Sequence, residues 1–341
     1  MQANTADNDR TVANWLLICC ALVFAMVVLG GVTRLTGSGL SMVDWRPVLG
    51  ALPPLSDEAW QETFEMYQLT PEFQKVNVNM DVDGFKSIFW LEYLHRLLGR
   101  TIGIVFLIPF LVFAWRGYIQ KREWPKYSLM FVLGGLQGVL GWYMVKSGLV
   151  DDPNVSQYRL VAHLVAAFLI YAYMFWVALN LIFPPGGQAP HPWYRKTLAL
   201  SVLITVTIIS GGFVAGLKAG KIYNTFPMMG EYWAPPGMFA IEPWWRNFFD
   251  NMATVQFDHR ILAITTFALI IFYWIKIRKT DLPARIAKGV NALLHTAVLQ
   301  VALGIATLLL VVPVSLAAIH QGVAMLLFTV TLYLCHGLRR T

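Results

Sequence analysis

Charge is what this chain has least of. Of its 341 residues only 13% are Asp, Glu, Lys or Arg, against roughly 25% in a soluble domain. With 57% hydrophobic residues and a mean hydropathy of +0.56, that scarcity excludes an ordinary soluble domain and reads as a polytopic membrane protein. Cysteine is scarce too. Cys19, Cys20 and Cys335 all lie in or beside apolar runs, and no outer loop holds a pair, so no structural disulfide is expected. Adjacent Cys19 and Cys20 read as two small apolar helix residues. The first ten residues are polar, with Asp7, Asp9 and Arg10. They fit neither a cleavable signal nor an Arg-rich transit peptide. The net charge of +7 does not imply nucleic acid, because membrane proteins carry excess Lys and Arg in cytoplasmic loops.

What is present is a set of long apolar runs. Eight segments are long enough to span: 14–32, 89–115, 127–145, 158–182, 197–217, 254–275, 289–311 and 315–336. The connections between spans two and three (Arg116 to Lys126) and between six and seven (Lys276 to Lys288) are basic. The loop from His191 to Lys196 is mildly basic, and the chain ends in Arg339-Arg340. All fall on one side of an eight-span arrangement, and the positive-inside rule makes that side cytoplasmic. Both termini are then cytoplasmic. The opposite side holds a long acidic loop, 33–88, and a Trp-rich loop, 218–253. The acidic loop is too long for a bare connection and is expected to form a small cap, helical over about 59–67.

The halves echo each other. Gly30-Gly31-Val32 is matched by Gly211-Gly212-Phe213-Val214. Leu136-Gln137 followed by Gly141 is matched by Leu299-Gln300 followed by Gly304. His95-Arg96 is matched by His259-Arg260, and His163 by His320. The fold class is therefore an all-α integral membrane protein, its eight transmembrane helices forming two parallel four-helix repeats about an axis along the membrane normal. The expected organisation is an N-terminal cytoplasmic tail 1–13, a first half 14–183 that includes the outer loop 33–88, a cytoplasmic linker 184–196 and a second half 197–341.

His95, His163, His259 and His320 lie in spans two, four, six and eight, each within a turn or two of the outer end. At about 1.5 Å per residue they share one depth. Each is followed four residues later by a small residue: Gly99, Ala167, Ala263 and Ala324. An imidazole beside a cleared strip, flanked by Arg96, Arg100 or Arg260, offers a nitrogen for iron, room for a porphyrin and cations for its propionates. Two bis-histidine haem sites, one per half, follow. Zinc fits poorly, for want of cysteine and carboxylate at this depth. The other cations near the outer ends are Arg34, Arg159, Lys218 and Arg246. His191, His295 and His336 read as structural. The halves differ at one telling position. Three residues before His95 stands Glu92, and three before His259 stands Gln256. A carboxylate can accept a proton or steady a cation, whereas Gln can only hydrogen-bond. The first site thus reads as reactive and the second as an electron relay.

These residues resemble the haem A synthase family, of the kind found in proteobacteria and mitochondria. The resemblance rests on Gly30 to Pro47 (GGVTRLTGSGLSMVDWRP), Phe85 to Arg100 (FKSIFWLEYLHRLLGR), Gly141 to Leu149 (GWYMVKSGL), Phe257-Asp258-His259-Arg260 and His320-Gln321, and so covers nearly the whole chain. A related kind carries a cysteine pair in an outer loop, which this chain lacks. The resemblance implies a membrane oxidoreductase that oxidises a methyl of haem O to a formyl group by successive hydroxylations, making haem A for cytochrome oxidase. It implies a haem b held by His259 and His320 with Arg260 beside it. It puts substrate haem O between His95 and His163 with Arg96 and Arg100, and Glu92 as the catalytic carboxylate. It also implies a bacterial inner membrane, haem O synthase as supplier and an electron-transfer protein as partner. The alternative from a different class is a di-haem b-type cytochrome acting only in electron transfer. It leaves Glu92 without a purpose, and its haems would be expected near both faces. A transporter is suggested by the parallel repeat alone, and no buried charge marks the bilayer midplane.

Overall fold

The structure is a computed structural model that describes residues 2–43, 52–148, 153–184 and 189–339. Asp44 to Pro47, Leu149, Arg340 and part of the linker 184–196, all named above, lie outside the described residues. Eleven α-helices are seen among them: α1 (Gln2–Leu35), α2 (Asp57–Gln68), α3 (Pro71–Lys75), α4 (Val82–Trp115), α5 (Trp124–Gly148), α6 (Gln157–Ile182), α7 (Tyr194–Gly216), α8 (Asn247–Asp250), α9 (Met252–Ile277), α10 (Ala284–Leu309) and α11 (Val314–Leu338). No strand occurs among the described residues. The eight long helices are each apolar and long enough to cross a membrane, so the chain is an all-α multi-pass membrane protein. In a bilayer each helix satisfies its own backbone polar groups, which loops and open sheets cannot do.

Two helices are longer than the apolar runs suggest. α1 reaches back to Gln2, because a polar first turn continues a helix as readily as it ends one. α4 starts at Val82, two turns before its apolar run, where Asp81 caps it by accepting the Gly84 amide at 2.8 Å. This extension is the wall on which the outer loop folds. Ser56 and Thr70 cap α2 and α3. Trp60, Phe64 and Tyr67 from these helices bury themselves against Phe85, Ile88, Phe89 and Tyr93 of α4. The Tyr67 hydroxyl donates to Glu72 Oε2 at 3.3 Å and accepts from Asn77 at 2.7 Å. Burial pushes this phenol well above its ordinary pKa. The expected cap is thus a small aromatic core of its own. In the second outer loop Asn247 serves as the hub. It donates to the carbonyls of Ile241 and Trp244, each at 2.7 Å, and accepts the Ile241 amide at 3.0 Å.

The chain divides into two compact units, 1–174 and 175–341. In the second, α7 packs on α9, α9 on α10, α10 on α11 and α11 on α7, closing a four-helix ring. Its continuous core is Leu200, Ile204, Ile270, Tyr273, Ile277, Ile286, Val290, Leu293, Leu327 and Leu334, among others. These come from the start of α7 and α10 and the end of α9 and α11, so they fill one end of the bundle. In the first unit Trp15 of α1, Phe106 of α4 and Tyr127 of α5 cluster in the same way, with Trp15 4.9 Å from Phe106 and 6.1 Å from Tyr127. In both units the histidines lie at the other end. Phe85→Ala would open the aromatic cap and cost about 3–5 kcal/mol of local stability. Hydrogen exchange over residues 57–80 should then speed up while exchange in α7 and α9–α11 stays unchanged.

Candidate functional site

Each of the four histidines stands against bare backbone on a neighbouring helix. A Cβ added at Gly30 of α1 would come within 3.2 Å of His95 Nε2. One at Gly141 of α5 would lie 3.1 Å from His163 Cε1, one at Gly211 of α7 3.1 Å from His259 Cε1, and one at Gly304 of α10 2.9 Å from His320 Cε1. Those glycines are the ones that recur between the halves, so the echo in sequence is a seat for imidazole. The small residue one turn beyond His95 plays a different part, since a Cβ at Gly99 would meet Met26 of α1 at 3.4 Å. His95 and His163 lie within electrostatic reach of each other inside the first unit, as do His259 and His320 inside the second. All four histidines are half-buried.

The surroundings fix ring states. Ser210 Oγ donates to the Thr207 carbonyl at 2.7 Å and so accepts from His259 Nδ1 at 2.8 Å. That leaves the Nε2 lone pair of a neutral imidazole available to a metal. Gln137 Nε2 donates to the His163 backbone carbonyl at 2.8 Å, and Gln300 reaches the His320 ring, Nε2 to Nε2, at 3.4 Å. Nδ1 of His163 and of His320 is buried with no hydrogen-bond partner. Among the described residues no three His, Cys, Asp or Glu gather as metal ligands. A pair of imidazoles with no third protein ligand leaves the other coordination positions to a macrocycle, so these residues fit a haem better than a bare ion.

Glu92 is buried, at 3% exposure, and every bond it makes is strong. Oε2 accepts from Ser41 Oγ at 2.7 Å and from the Met42 amide at 2.9 Å. Oε1 takes Arg96 Nη2 at 2.5 Å, and the same Nη2 donates to the Met42 carbonyl at 3.0 Å. The segment Thr33 to Ser41 delivers this partner. Gly37 ends α1 in the left-handed region at φ +69°, Ser38 N donates to Thr33 O at 3.0 Å, and the chain turns back to bury Ser41 against α4. The second unit repeats the clamp without the carboxylate. Gln256 Nε2 donates to Tyr223 O at 3.0 Å. Arg260 donates to Tyr223 O at 2.9 Å, Thr225 O at 2.8 Å and Met228 O at 3.2 Å. Sequence reasoning assigned Arg96 and Arg260 to propionates. The structure gives both a second duty, tying an outer loop to the histidine helix. Arg100 lies one turn beyond Arg96 on α4. Ser41, Ser210, Gln137, Gln300 and the four glycine seats were not singled out as site residues. The glycines and glutamines were visible only as parts of the internal repeat, and Ser41 only within the long first stretch.

Of the remaining cations and histidines, Arg159 stacks on Tyr143 with its guanidinium 4.1 Å from the ring, and Arg246 pairs with Asp250 at 2.8 Å. His191 accepts the Trp193 amide at 3.2 Å. His336 is buried, 3.0 Å from Asn180 Oδ1 and edge-on to Trp176.

Residues 13–332 match the family model described as cytochrome oxidase assembly protein. The chain belongs to this family. Among its relatives, a heme A synthase of Nitrosospira multiformis is 54% identical over 97% of this chain and 94% of the relative. A heme A synthase of Nitrosomonas eutropha is 50% identical over 97% and 95%. The heme A synthase COX15 of Homo sapiens is 44% identical over 97% and 83%. The matched range takes in both histidine pairs and both clamps.

The ion pair offers a direct check. Arg96→Met leaves a buried carboxylate facing neutral partners only, which costs about 3–5 kcal/mol. Arg260→Met removes bonds to neutral carbonyls and should cost less, about 1.5–3 kcal/mol. Thermal denaturation of the two purified variants in the same detergent gives the order.

Proposed function

We propose that this chain is a haem A synthase that oxidises a porphyrin methyl of haem O to a formyl group. The observation that carries the reading is the difference between two otherwise matched sites. Each unit sets two histidines on glycine seats beside an Arg-clamped loop, and the first alone adds a buried carboxylate, Glu92, three residues before its histidine.

In this reading haem O is held between His95 and His163, with Arg96 and Arg100 towards its propionates. Two hydroxylations at the methyl carbon each add one oxygen atom and take one electron pair from it; with O2 as oxidant and oxygen source, its second atom leaves as water using two electrons from the donor and two protons, and the resulting geminal diol loses water to leave the formyl group. Arg96, Ser41 and the Met42 amide fix the direction of the Glu92 carboxyl group. From that position the carboxylate accepts a proton released at the methyl carbon or stabilises positive charge developing there. His259 and His320 hold a haem b in the second unit, with Arg260 beside it. Haem b supplies one-electron transfer when bound. Ser210 holds His259 in the tautomer that ligates iron, and Gln300 steadies His320. The expected setting is a bacterial inner membrane with both termini cytoplasmic, since the basic connections 116–126 and 276–288 share that side. Haem O synthase is the natural supplier, and an electron-transfer protein is the redox partner, expected as electron donor. The organisation retained is a substrate-haem half followed by a haem b half. A di-haem electron carrier is the weaker reading, because it has no use for a carboxylate so closely held.

Two substitutions test the roles separately. His259→Ala or His320→Ala should abolish the bis-histidine haem b spectrum, and an unchanged spectrum would remove those ligands. Glu92→Gln should keep haem bound while haem A formation falls by about 10²–10⁴-fold. Wild-type haem A levels in that variant would take Glu92 out of the mechanism.

A further inference from the structure

One flank of the second unit is open. Between α10 and α11 lies an opening of about 410 Å³, lined by Arg285, Lys288, Gly289 and Ala292 from α10 and by Val330 and Tyr333 from α11, among others. The α10 residues recur after three, four and seven positions, so they form one stripe of that helix. Both cations stand at the start of the stripe, and it continues in Gly289 and Ala292. Gly289 lies against Leu334, where an added Cβ would come within 2.9 Å, so bare backbone forms part of the floor. From Arg285 to Ala292 the opening runs about 10 Å along α10.

Neither cation has an acid beside it. Among the described residues no ion pair reaches Arg285 or Lys288. The Arg285 guanidinium lies over the Phe183 ring, 4.2 Å from its centre, and its Nη1 is buried with no hydrogen-bond acceptor. The connection 276–288 that ends in these residues carries five cations and one acid, Asp281. The first unit has an opening at the matching place, about 590 Å³ between α5 and α6, but no charged residue lines it. Counting from Gln137 and Gln300, Ile286 and Gly289 correspond to Glu123 and Lys126, which pair with each other. The Tyr173 hydroxyl, on the lining there, donates to the Lys126 carbonyl at 3.3 Å. The two openings match in position and differ in charge.

A ligand complementary to the second opening has an anionic head and an apolar tail. We propose that it binds one anionic phospholipid, with the phosphate between Arg285 and Lys288 and an acyl chain along Gly289, Ala292 and Val330. The planar fork of Arg285 suits two phosphate oxygens, and Phe183 holds the plane of that fork. Lys288 adds a point charge one turn along. A head that carries its own ammonium group is a poorer match for two cations with no acid beside them. Basic pockets between transmembrane helices on the cytoplasmic side suit such lipids, and the connection 276–288 is expected on that side. The site lies at the end of the unit away from His259 and His320, so the proposal is independent of the reaction proposed above.

The test is native mass spectrometry of the full-length protein in detergent, titrated with phosphatidylglycerol and with phosphatidylcholine of the same acyl chains. Wild type should retain one phosphatidylglycerol at concentrations where phosphatidylcholine is lost. The double variant Arg285→Gln, Lys288→Gln should lose about tenfold or more of the phosphatidylglycerol affinity while its weak phosphatidylcholine binding stays as in wild type. Ala292→Phe, which fills the groove and keeps both cations, should also weaken phosphatidylglycerol. The matched double variant of the first unit, Lys121→Gln, Arg122→Gln, removes the same charge and should bind as wild type. Unchanged helicity by circular dichroism shows that each variant is folded. Wild-type phosphatidylglycerol binding in the Arg285, Lys288 variant overturns the proposal. Equal loss in the Lys121, Arg122 variant also overturns it, because net charge alone is then enough. So does a wild type that holds both lipids equally, which makes the groove a non-selective apolar surface. A lipid-free dimer abolished by Ala292→Phe assigns the face to a second copy of the chain and overturns it too.

Discussion

Everything at the functional end depends on imidazole rings lying against backbone that carries no side chain. A membrane helix bundle gains little from hydrophobic association, since lipid is as apolar as leucine, so its geometry follows from close packing at small residues. Here the small residues are placed to receive histidines. Gly30, Gly141, Gly211 and Gly304 each leave space that a single methyl would fill. The opposite ends are filled solidly, by leucines and isoleucines in one unit and by aromatics around Trp15 in the other. Each unit is therefore a bundle filled with apolar side chains at one end and carrying its histidines at the other. The histidine end also carries the clamped loops and, in the first unit, buried Glu92.

The duplicated plan makes the differences informative. Both units tie an outer loop to a histidine helix through an Arg one residue after the histidine and a polar residue three before it. Only the first makes that polar residue a Glu and surrounds it with Ser41, the Met42 amide and Arg96. A carboxyl group in such a place is expensive to bury, and four hydrogen bonds within this small knot hold it there. A stabilising role alone would be served as well by the Gln of the second unit.

Much of this was legible before any coordinates. Eight apolar runs, basic connections on one side, and four histidines at matched depth define an all-α membrane protein with two related halves. The Glu92 and Gln256 contrast was visible as a spacing. What spacing could not reveal was contact between distant segments. The pairing of Glu92 with Ser41 joins residues 51 apart in the chain and depends on the turn at Gly37. The glycine seats lie on the helix preceding each histidine helix, whereas periodicity along one helix pointed to Gly99, which faces Met26. The starts of α1 and α4 were misplaced because hydropathy marks where a helix meets lipid, not where its hydrogen bonds begin.

The central claim is that the first site processes a haem while the second holds one. The most direct measurement is mass identification of the haems extracted from protein purified out of cells that make haem O. The account predicts haem b together with haem O, a hydroxylated haem or haem A in the same preparation. Haem b alone at both sites, unchanged when haem O is supplied, would contradict it and leave a di-haem electron carrier.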